Sequence, residues 1–191
     1  MIEKENLLFD GDDSLFKEII RETNLYGEYG CGLSTDWVLR NSKIMVHSVD
    51  TSHEWVQITK NKNNKYLQRL NIKLIDLGEV GDWGRPINYN YSDIFYNYTD
   101  WIWKLPQIPD TVLIDGRFRV CCFLTSLKNA KQGTKIIFDD YCNRPYYHIV
   151  ENYIQREDTY GRQCLFIVPS QKDINFSELD KDIKNFRFVM D

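Results

Sequence analysis

Residues 27 to 35 read Gly27-Glu28-Tyr29-Gly30-Cys31-Gly32-Leu33-Ser34-Thr35, which places an acid, two closely spaced glycines and two hydroxyls where a strand would pass into a helix. Glycine lets the backbone turn sharply and approach a ligand, and the start of a helix offers free N–H groups and the positive end of its dipole. A short Gly-x-Gly is also common in plain tight turns. The loop alone therefore leaves two interpretations open, a cofactor loop and a turn.

Strand and helix patterns alternate on both sides of this loop. Apolar runs predict strands at 43–49, 72–76, 111–115, 135–138 and 163–168, the last as the return arm of a hairpin turning at Tyr160-Gly161. Helical spacing or composition predicts helices through 15–20, 37–39, 55–58, 118–130, 147–153 and 177–184. Such alternation is typical of an α/β domain with a mostly parallel sheet, helices on both faces and, here, an antiparallel C-terminal strand. We expect one domain over residues 1–191.

Acidic residues recur where the predicted strands end. The row consists of Glu28, Asp50, Asp76, Asp115, Asp139 and Asp140. Asp and Asn commonly terminate strands, so one or two such acids would mean little. Ligands of parallel sheets bind beyond the carboxyl ends of the strands, and a nearly complete row at that edge therefore predicts a ligand cleft.

Composition restricts the classes of function. The 191 residues are 42% apolar and 27% charged, with a net charge of −4, which disfavours a broad surface for nucleic acid. No apolar run approaches the roughly 20 residues of a membrane span, and the first residues do not resemble a signal peptide. We therefore expect a cytoplasmic protein that binds neither nucleic acid nor membrane. The five cysteines show no metal-binding spacing.

These residues resemble the class I S-adenosylmethionine-dependent methyltransferases, which have a Rossmann-like fold, over nearly the whole chain. The family's E/D-x-G-x-G loop corresponds to Glu28, Gly30 and Gly32, with Ser34 and Thr35 at the helix start. The resemblance implies that Asp50 holds the ribose hydroxyls, that Asp76 or its neighbours lie near the adenine, and that Asp115 belongs to the cofactor site. An NAD fingerprint would need a third glycine near Ser34-Thr35.

The second half resembles the metal-dependent O-methyltransferases of the catechol and macrolide-sugar type. Asp115-Gly116 and Asp139-Asp140-Tyr141 correspond to that group's D-G and D-D-Y motifs. The resemblance implies that Asp115, Asp139 and Asp140 bind a divalent ion, for which oxygen ligands suit Mg²⁺. The run after Asp115 is basic here instead of acidic and aromatic, and an Asp-Asp turn without a metal remains the alternative.

Basic and aromatic residues near the expected cleft are candidates for the acceptor side. Arg117 and His148, with Asp115 and Asp140, are candidate catalytic residues, and Arg119 and Arg144 are candidates for binding an anionic acceptor. The arginines could instead pair with the acids and replace the metal. His148 could equally be a helix-face residue with one hydrogen bond.

A long aromatic segment at 82–110 separates the third and fourth predicted strands. Trp83 and Arg85 are its candidate acceptor-binding residues, and its rings would suit stacking on a sugar or another ring as part of a lid. The same rings could pack against the sheet or form a contact between subunits of a homo-oligomer.

The sequence thus predicts an S-adenosylmethionine-dependent methyltransferase that acts on an oxygen of a small-molecule or carbohydrate acceptor, with Mg²⁺ as a candidate cofactor. Two alternatives stay open: a non-catalytic methyltransferase-like binding or scaffold domain, and an NAD-linked oxidoreductase on the same architecture. No spacing in the sequence identifies the acceptor.

Overall fold

A computed structural model describes residues 8, 9 and 11–191 of the chain. The strands are β1 (Leu25–Tyr29), β2 (Met45–Asp50), β3 (Leu70–Leu74), β4 (Thr111–Ile114), β5 (Lys135–Phe138), β6 (Asp158–Tyr160) and β7 (Gln163–Ile167). They form one seven-stranded sheet in the order β3-β2-β1-β4-β5-β7-β6. β1 to β5 pair in parallel, whereas β7 pairs antiparallel with both β5 and β6. The predicted α/β class with an antiparallel C-terminal strand is confirmed.

Helices lie on both faces of the sheet. They are α1 (Ser14–Arg21), α2 (Leu33–Asn41), α3 (His53–Lys62), α4 (Tyr96–Asp100), α5 (Arg119–Asn129) and α6 (Phe176–Phe186). α1 forms as its spacing predicts, because Leu15, Phe16, Ile19 and Ile20 recur on one face and are all buried. α5 is enclosed by the sheet, by α4 and by α6, and its residues from Arg119 to Leu127 are buried.

The central strands are apolar on both sides because each face of the sheet has its own core. In β4, Val112 and Ile114 belong to the core beneath α5, whereas Leu113 belongs to the core beneath α1 and α2. β5 alternates in the same way, with Ile137 on the α1 side. Successive side chains of a strand point to opposite faces, so continuous apolar runs are expected where both faces are covered.

The chain order creates a crevice between β1 and β4. From β1 the chain proceeds to β2 and β3 on one side, and then returns to build β4 and β5 on the other. The loops that leave the carboxyl ends of β1 and β4 therefore turn in opposite directions. Such a topological switch point is where open α/β sheets bind ligands.

Two details differ from the sequence-based expectation, and a third agrees with one of its two alternatives. The third strand was expected at 72–76 but runs from Leu70 to Leu74. It therefore ends two residues before Asp76. The segment predicted as a helix at 147–153 is a 3₁₀ helix, Pro145–Asn152, with proline in its first turn. The aromatic segment contains α4 and short 3₁₀ turns, and Phe95, Tyr98 and Ile102 are buried in the core beneath α5. Much of this segment is therefore part of the packed domain.

Within the described residues, none of the helices is both long enough and apolar enough to cross a membrane.

The loops after β1 and β4 touch through glycine backbone. Gly30 has φ of 92°, and a Cβ added there would meet the Gly116 Cα at 2.9 Å. A Cβ added at Gly116 would meet the Gly30 nitrogen at 2.8 Å and would collide with the Tyr98 hydroxyl. The crevice thus depends on two glycines whose backbones are in contact.

We expect Gly116→Ala to lower the free energy of unfolding by about 1–3 kcal/mol, because the added methyl group overpacks a backbone contact that cannot yield. Urea unfolding followed by circular dichroism measures the change. Gly81→Ala is the control, since a Cβ there has its nearest neighbour at 3.5 Å. Equal stability of Gly116→Ala and the wild type would contradict the prediction.

Candidate functional site

A cavity of about 830 Å³ opens at the carboxyl edge of the sheet, across the switch point. Ligand pockets typically measure about 300–1,000 Å³, so the cavity can hold a nucleotide-sized ligand. Of the residues singled out in the sequence, it is lined by Gly30, Gly32, Ser34, Asp50, Trp83, Asp115, Arg117, Arg119, Asp140 and Arg144. The others, Glu28, Thr35, Asp76, Arg85, Asp139 and His148, lie outside this lining.

Glu28 lies within β1 and is fully buried beneath the glycine loop. Its carboxylate accepts hydrogen bonds from the hydroxyls of Tyr26 (2.9 Å) and Ser34 (2.8 Å), and from Thr35. Burial raises the pKa of Glu28, and these hydrogen bonds oppose the rise. The side chain thereby connects β1 to the first turn of α2 and fixes the direction in which the loop enters the helix.

Asp50 ends β2 and lies at the cavity wall. One of its oxygens accepts from the Cys31 N–H at 2.8 Å and the other from the Ser52 N–H at 2.7 Å. Burial raises the pKa of Asp50, and the two backbone N–H groups oppose that rise. A carboxylate oxygen can accept more than one hydrogen bond. Asp50 is therefore held rigidly by the glycine loop while keeping acceptor capacity toward the cavity.

Two tryptophans stand together at the β2 end of the cavity. Trp55 of α3 and Trp83 of the aromatic segment are nearly parallel, with ring centroids 6.2 Å apart and planes 12° apart. Trp83 is 73% exposed and has φ of 57°, a backbone conformation that is costly for a bulky residue. An exposed indole held in a strained conformation beside a cavity is suited to contact a flat ligand.

Three carboxylates converge at the ends of β4 and β5. Asp115, Asp139 and Asp140 each place a carboxylate oxygen within 4.8 Å of the others. Such a set satisfies the distance that a divalent ion would require of its ligands. We call these three residues the acid cluster.

Arginines already neutralise the acid cluster. The ion pairs are Arg119–Asp115 (3.1 Å), Arg119–Asp140 (3.1 Å), Arg144–Asp140 (2.8 Å), Arg162–Asp139 (2.7 Å) and Arg162–Asp140 (3.1 Å). Arg119 is 3% exposed and also donates to the backbone carbonyls of Gly116 and Asp139. Its guanidinium joins Asp115 to Asp140 where a metal ion would have to bind. A divalent ion would be repelled by these arginines, so the residues as arranged do not fit a metal.

The charges of the cluster alter one another. Burial raises the pKa of Asp115, and the neighbouring Asp139 raises it further. Burial alone would lower the pKa of Arg119, but the carboxylates around it, Asp115 foremost, raise it overall. Arg119 is therefore held in its positively charged form by the acid cluster.

Arg117 differs from the other arginines of the cavity. Its Nε is buried without a hydrogen-bond partner, and no ion pair of its guanidinium is found among the described residues. Burial lowers the pKa of Arg117, and the nearby Arg119 lowers it further. Phe118, between the two arginines, has φ of 56°. Both arginines line the cavity, but Arg119 is bound by the acid cluster whereas Arg117 forms no ion pair among the described residues.

The remaining candidates lie away from the cavity. Asp76 is exposed and accepts from the Gly78 N–H at 2.9 Å, two residues beyond the end of β3. Arg85 is exposed within the aromatic segment. The His148 Nε2 is 3.1 Å from the Tyr141 carbonyl oxygen, and its ring stacks on that of Tyr141. His148 is thus placed as a helix-face residue with one hydrogen bond, which is the second of its two sequence-based interpretations.

Several residues that line the cavity were not among the site residues predicted from the sequence. Among them are Thr51, Trp55, Tyr98, Asn143 and Arg162. Arg162 directly follows the hairpin glycine, and the pairing of β7 with β5 brings it to Asp139 and Asp140. The hairpin expected at Tyr160-Gly161 was the sequence signal from which Arg162 could have been predicted as a site residue.

No protein-family model and no curated protein matches the sequence. A methyltransferase-like protein from Silicibacter pomeroyi is similar in structure, with a TM-score of 0.79 and 26% identity over 95% of this chain and 97% of that chain. An O-methyltransferase from Bacillus cereus, solved in complex with SAH, gives a TM-score of 0.54 at 16% identity over 81% of this chain and 77% of that one.

A methyltransferase from Geobacter sulfurreducens gives a TM-score of 0.54 at 13% identity, over 81% of this chain and 75% of that chain. The strand order and the crevice at the switch point agree with these likenesses. The protein has the class I S-adenosylmethionine-dependent methyltransferase fold. The Silicibacter pomeroyi protein shares this fold over nearly the full length of both chains.

We expect Arg119→Met to lower the free energy of unfolding by about 3–5 kcal/mol, because it leaves buried Asp140 and half-buried Asp115 with less compensation. Urea denaturation measures the loss. Lys128→Met removes an exposed ion pair with Asp180 (2.6 Å) and should cost at most about 1 kcal/mol. Similar losses in the two variants would show that the acid cluster does not depend on Arg119.

Proposed function

We propose that this protein is an S-adenosylmethionine-dependent methyltransferase that transfers a methyl group to an oxygen of a small-molecule or carbohydrate acceptor. The observation that carries the proposal is the cavity at the switch point, where Asp50 and the glycine loop line one continuous wall with Asp115. The likeness to methyltransferase structures supports the same conclusion.

The cavity residues have separate roles in this proposal. Asp50, held by two backbone N–H groups, accepts the two ribose hydroxyls of the cofactor. Gly30 and Gly32 let the loop after β1 approach the methionine portion, and Ser34 lies beside it at the start of α2. When bound, S-adenosylmethionine supplies a methyl group activated by its positively charged sulfur.

The acceptor side of the cavity lies at β4 and β5. Asp115 lines the cavity with its side chain 30% exposed, so it can reach a bound acceptor. An ionised carboxylate within reach of an acceptor hydroxyl can accept its proton. We assign Asp115 this role, and Arg119 the role of holding Asp115 in place.

Glu28 and Thr35 support the loop from below in this proposal, because both lie outside the cavity lining and bind each other.

Trp83 with Trp55 forms an aromatic wall at the β2 end. The adenine belongs at this end because Asp50 binds the adjoining ribose.

We expect S-adenosylhomocysteine to bind the protein and NAD not to bind, as measured by isothermal titration calorimetry. Gly32→Ala should weaken S-adenosylhomocysteine binding at least roughly tenfold, because the methyl group occupies the space that the cofactor approaches. That space is open, since among the described residues no atom beyond the two chain neighbours lies within 4 Å of a Cβ added at Gly32.

Gly81→Ala, whose Cβ would lie outside the cavity lining, is the control and should bind like the wild type. Binding of NAD alone would favour an oxidoreductase. Binding of neither ligand would favour a scaffold domain without cofactor.

A divalent ion was the second cofactor expected from the sequence. The acid cluster supplies the ligand atoms, but Arg119, Arg144 and Arg162 occupy them. We therefore propose that the arginines take the place of the metal in compensating the three carboxylates.

We expect Mg²⁺ and Mn²⁺ at millimolar concentration to leave the thermal midpoint and the S-adenosylhomocysteine affinity unchanged, and EDTA to have no effect either. Differential scanning fluorimetry and calorimetry measure these quantities. Asp139→Asn is the matched variant for the case in which an ion does bind. A metal-dependent rise in the midpoint that Asp139→Asn abolishes would overturn the proposal and restore the metal site.

A further inference from the structure

We propose that Arg117 forms a binding subsite for a carboxylate group of the methyl acceptor. The inference rests on the proposed function, because it assumes that the cavity holds cofactor and acceptor together. It goes beyond that function by naming the chemical class of the acceptor: a hydroxylated molecule that carries one carboxylate.

The first observation is the unused guanidinium of Arg117. The residue lines the cavity, its Nε is buried without a partner, and it forms no ion pair among the described residues. Arg117 is half-buried, and burying one of its guanidinium nitrogens without a hydrogen-bond partner costs free energy. An anion that enters the cavity would supply the missing partner.

The second observation is that the other cations of the cavity are engaged. Arg119, Arg144 and Arg162 each bind carboxylates of the acid cluster at 3.1 Å or less. These three positive charges are balanced by three negative ones, so the cluster as a whole attracts an anion only weakly. Of the four arginines that line the cavity, Arg117 is the one without an ion pair among the described residues.

Asp191 is a carboxylate whose charge acts on Arg117. Its negative charge raises the pKa of Arg117 slightly against the larger effects of burial and Arg119. Asp191 nevertheless accepts from the Arg119 N–H at 3.0 Å, and its other carboxylate oxygen is buried without a partner. The two groups are thus close but unbonded, and Asp191 does not satisfy the guanidinium.

Position assigns this subsite to the acceptor and not to the cofactor. Asp50 and the two tryptophans lie at the β2 end of the cavity, whereas Arg117 follows β4 and its backbone N–H binds the Tyr98 hydroxyl at 3.2 Å. The cofactor extends from Asp50 past the glycine loop in the proposed function. Arg117 therefore lies beyond the methyl donor, on the side where an acceptor enters.

The number of charges selects the type of anion. A planar guanidinium binds a carboxylate through two parallel hydrogen bonds, and one positive charge matches one negative charge. A phosphate with a charge near −2 would need a second free cation, and the remaining arginines are engaged. Asp115, two positions before Arg117 in the sequence, lines the same cavity and can take the proton of the acceptor hydroxyl.

The first test measures the stability of the empty protein. Arg117→Met removes a charge that has no ion pair among the described residues and should raise the thermal midpoint by roughly 2–4 °C. Arg119→Met removes a paired charge next to it and should lower the midpoint. A lower midpoint for Arg117→Met would show that Arg117 is structural and would overturn the inference.

The second test measures binding to protein saturated with S-adenosylhomocysteine. The probes are 4-hydroxybenzoate and its methyl ester, which share ring and hydroxyl and differ in the charge of one group. By calorimetry the acid should bind at least roughly tenfold more tightly than the ester. Arg117→Met should abolish the difference, and Arg117→Lys should retain part of it. Phenyl phosphate, as a third probe, should bind more weakly than the acid.

Three results would overturn the inference: equal binding of acid and ester, no binding of the acid, or unchanged preference in Arg117→Met. A large loss of S-adenosylhomocysteine affinity in Arg117→Met would also overturn it, since Arg117 would then hold the carboxylate of the cofactor. If S-adenosylhomocysteine does not bind the wild type at all, the proposed function fails. Titration of the empty protein with the acid and its ester then decides the anion subsite separately.

Discussion

The mutual repulsion of Asp115, Asp139 and Asp140 is the constraint on which the ligand edge of the sheet depends. Oxygens of the three carboxylates lie within 4.8 Å of one another, a spacing at which two unit charges repel by about 3–4 kcal/mol at an effective dielectric constant of about 20. The compensating arginines come from three separate places: the start of α5, the turn after β5 and the hairpin between β6 and β7. Neutralisation therefore joins these elements and sets the shape of the cavity floor.

Much of the fold was predictable because its determinants are local. The strands β4 and β5 are apolar at every position but their first because both faces of the sheet are covered, and the acids after them follow from where those strands end. Asp50 was predictable as a cavity residue for the same reason. Asp76 shows the limit of this logic, because a strand that begins and ends two residues earlier moves the following acid out of the cavity.

The partners of the charged groups were less predictable, because they depend on contacts across the sheet. Arg162 lies more than twenty residues after Asp139 and reaches it only through the antiparallel pairing of β7 with β5. Glu28 is a different case, since its hydroxyl partners Ser34 and Thr35 follow it by six and seven residues, at the start of α2. All three residues were recognised in the sequence as parts of one motif. The sequence did not show that the Glu28 side chain lies beneath the loop and outside the cavity lining.

The division of charge along the cavity bears on how a methyl transfer could proceed there. A donor with a positively charged sulfur would be repelled by arginines that lack a negative partner, and four arginines line the cavity. The ion pairs of the acid cluster remove this conflict, because each of those guanidinium groups faces a carboxylate at 3.1 Å or less. Arg117 differs, because it forms no ion pair with any residue that the structure describes and its Nε has no hydrogen-bond partner. An acceptor that brings its own carboxylate would neutralise Arg117 when it binds, and the donor would then meet a cavity without excess positive charge. Binding of the acceptor and retention of the donor are therefore expected to favour each other.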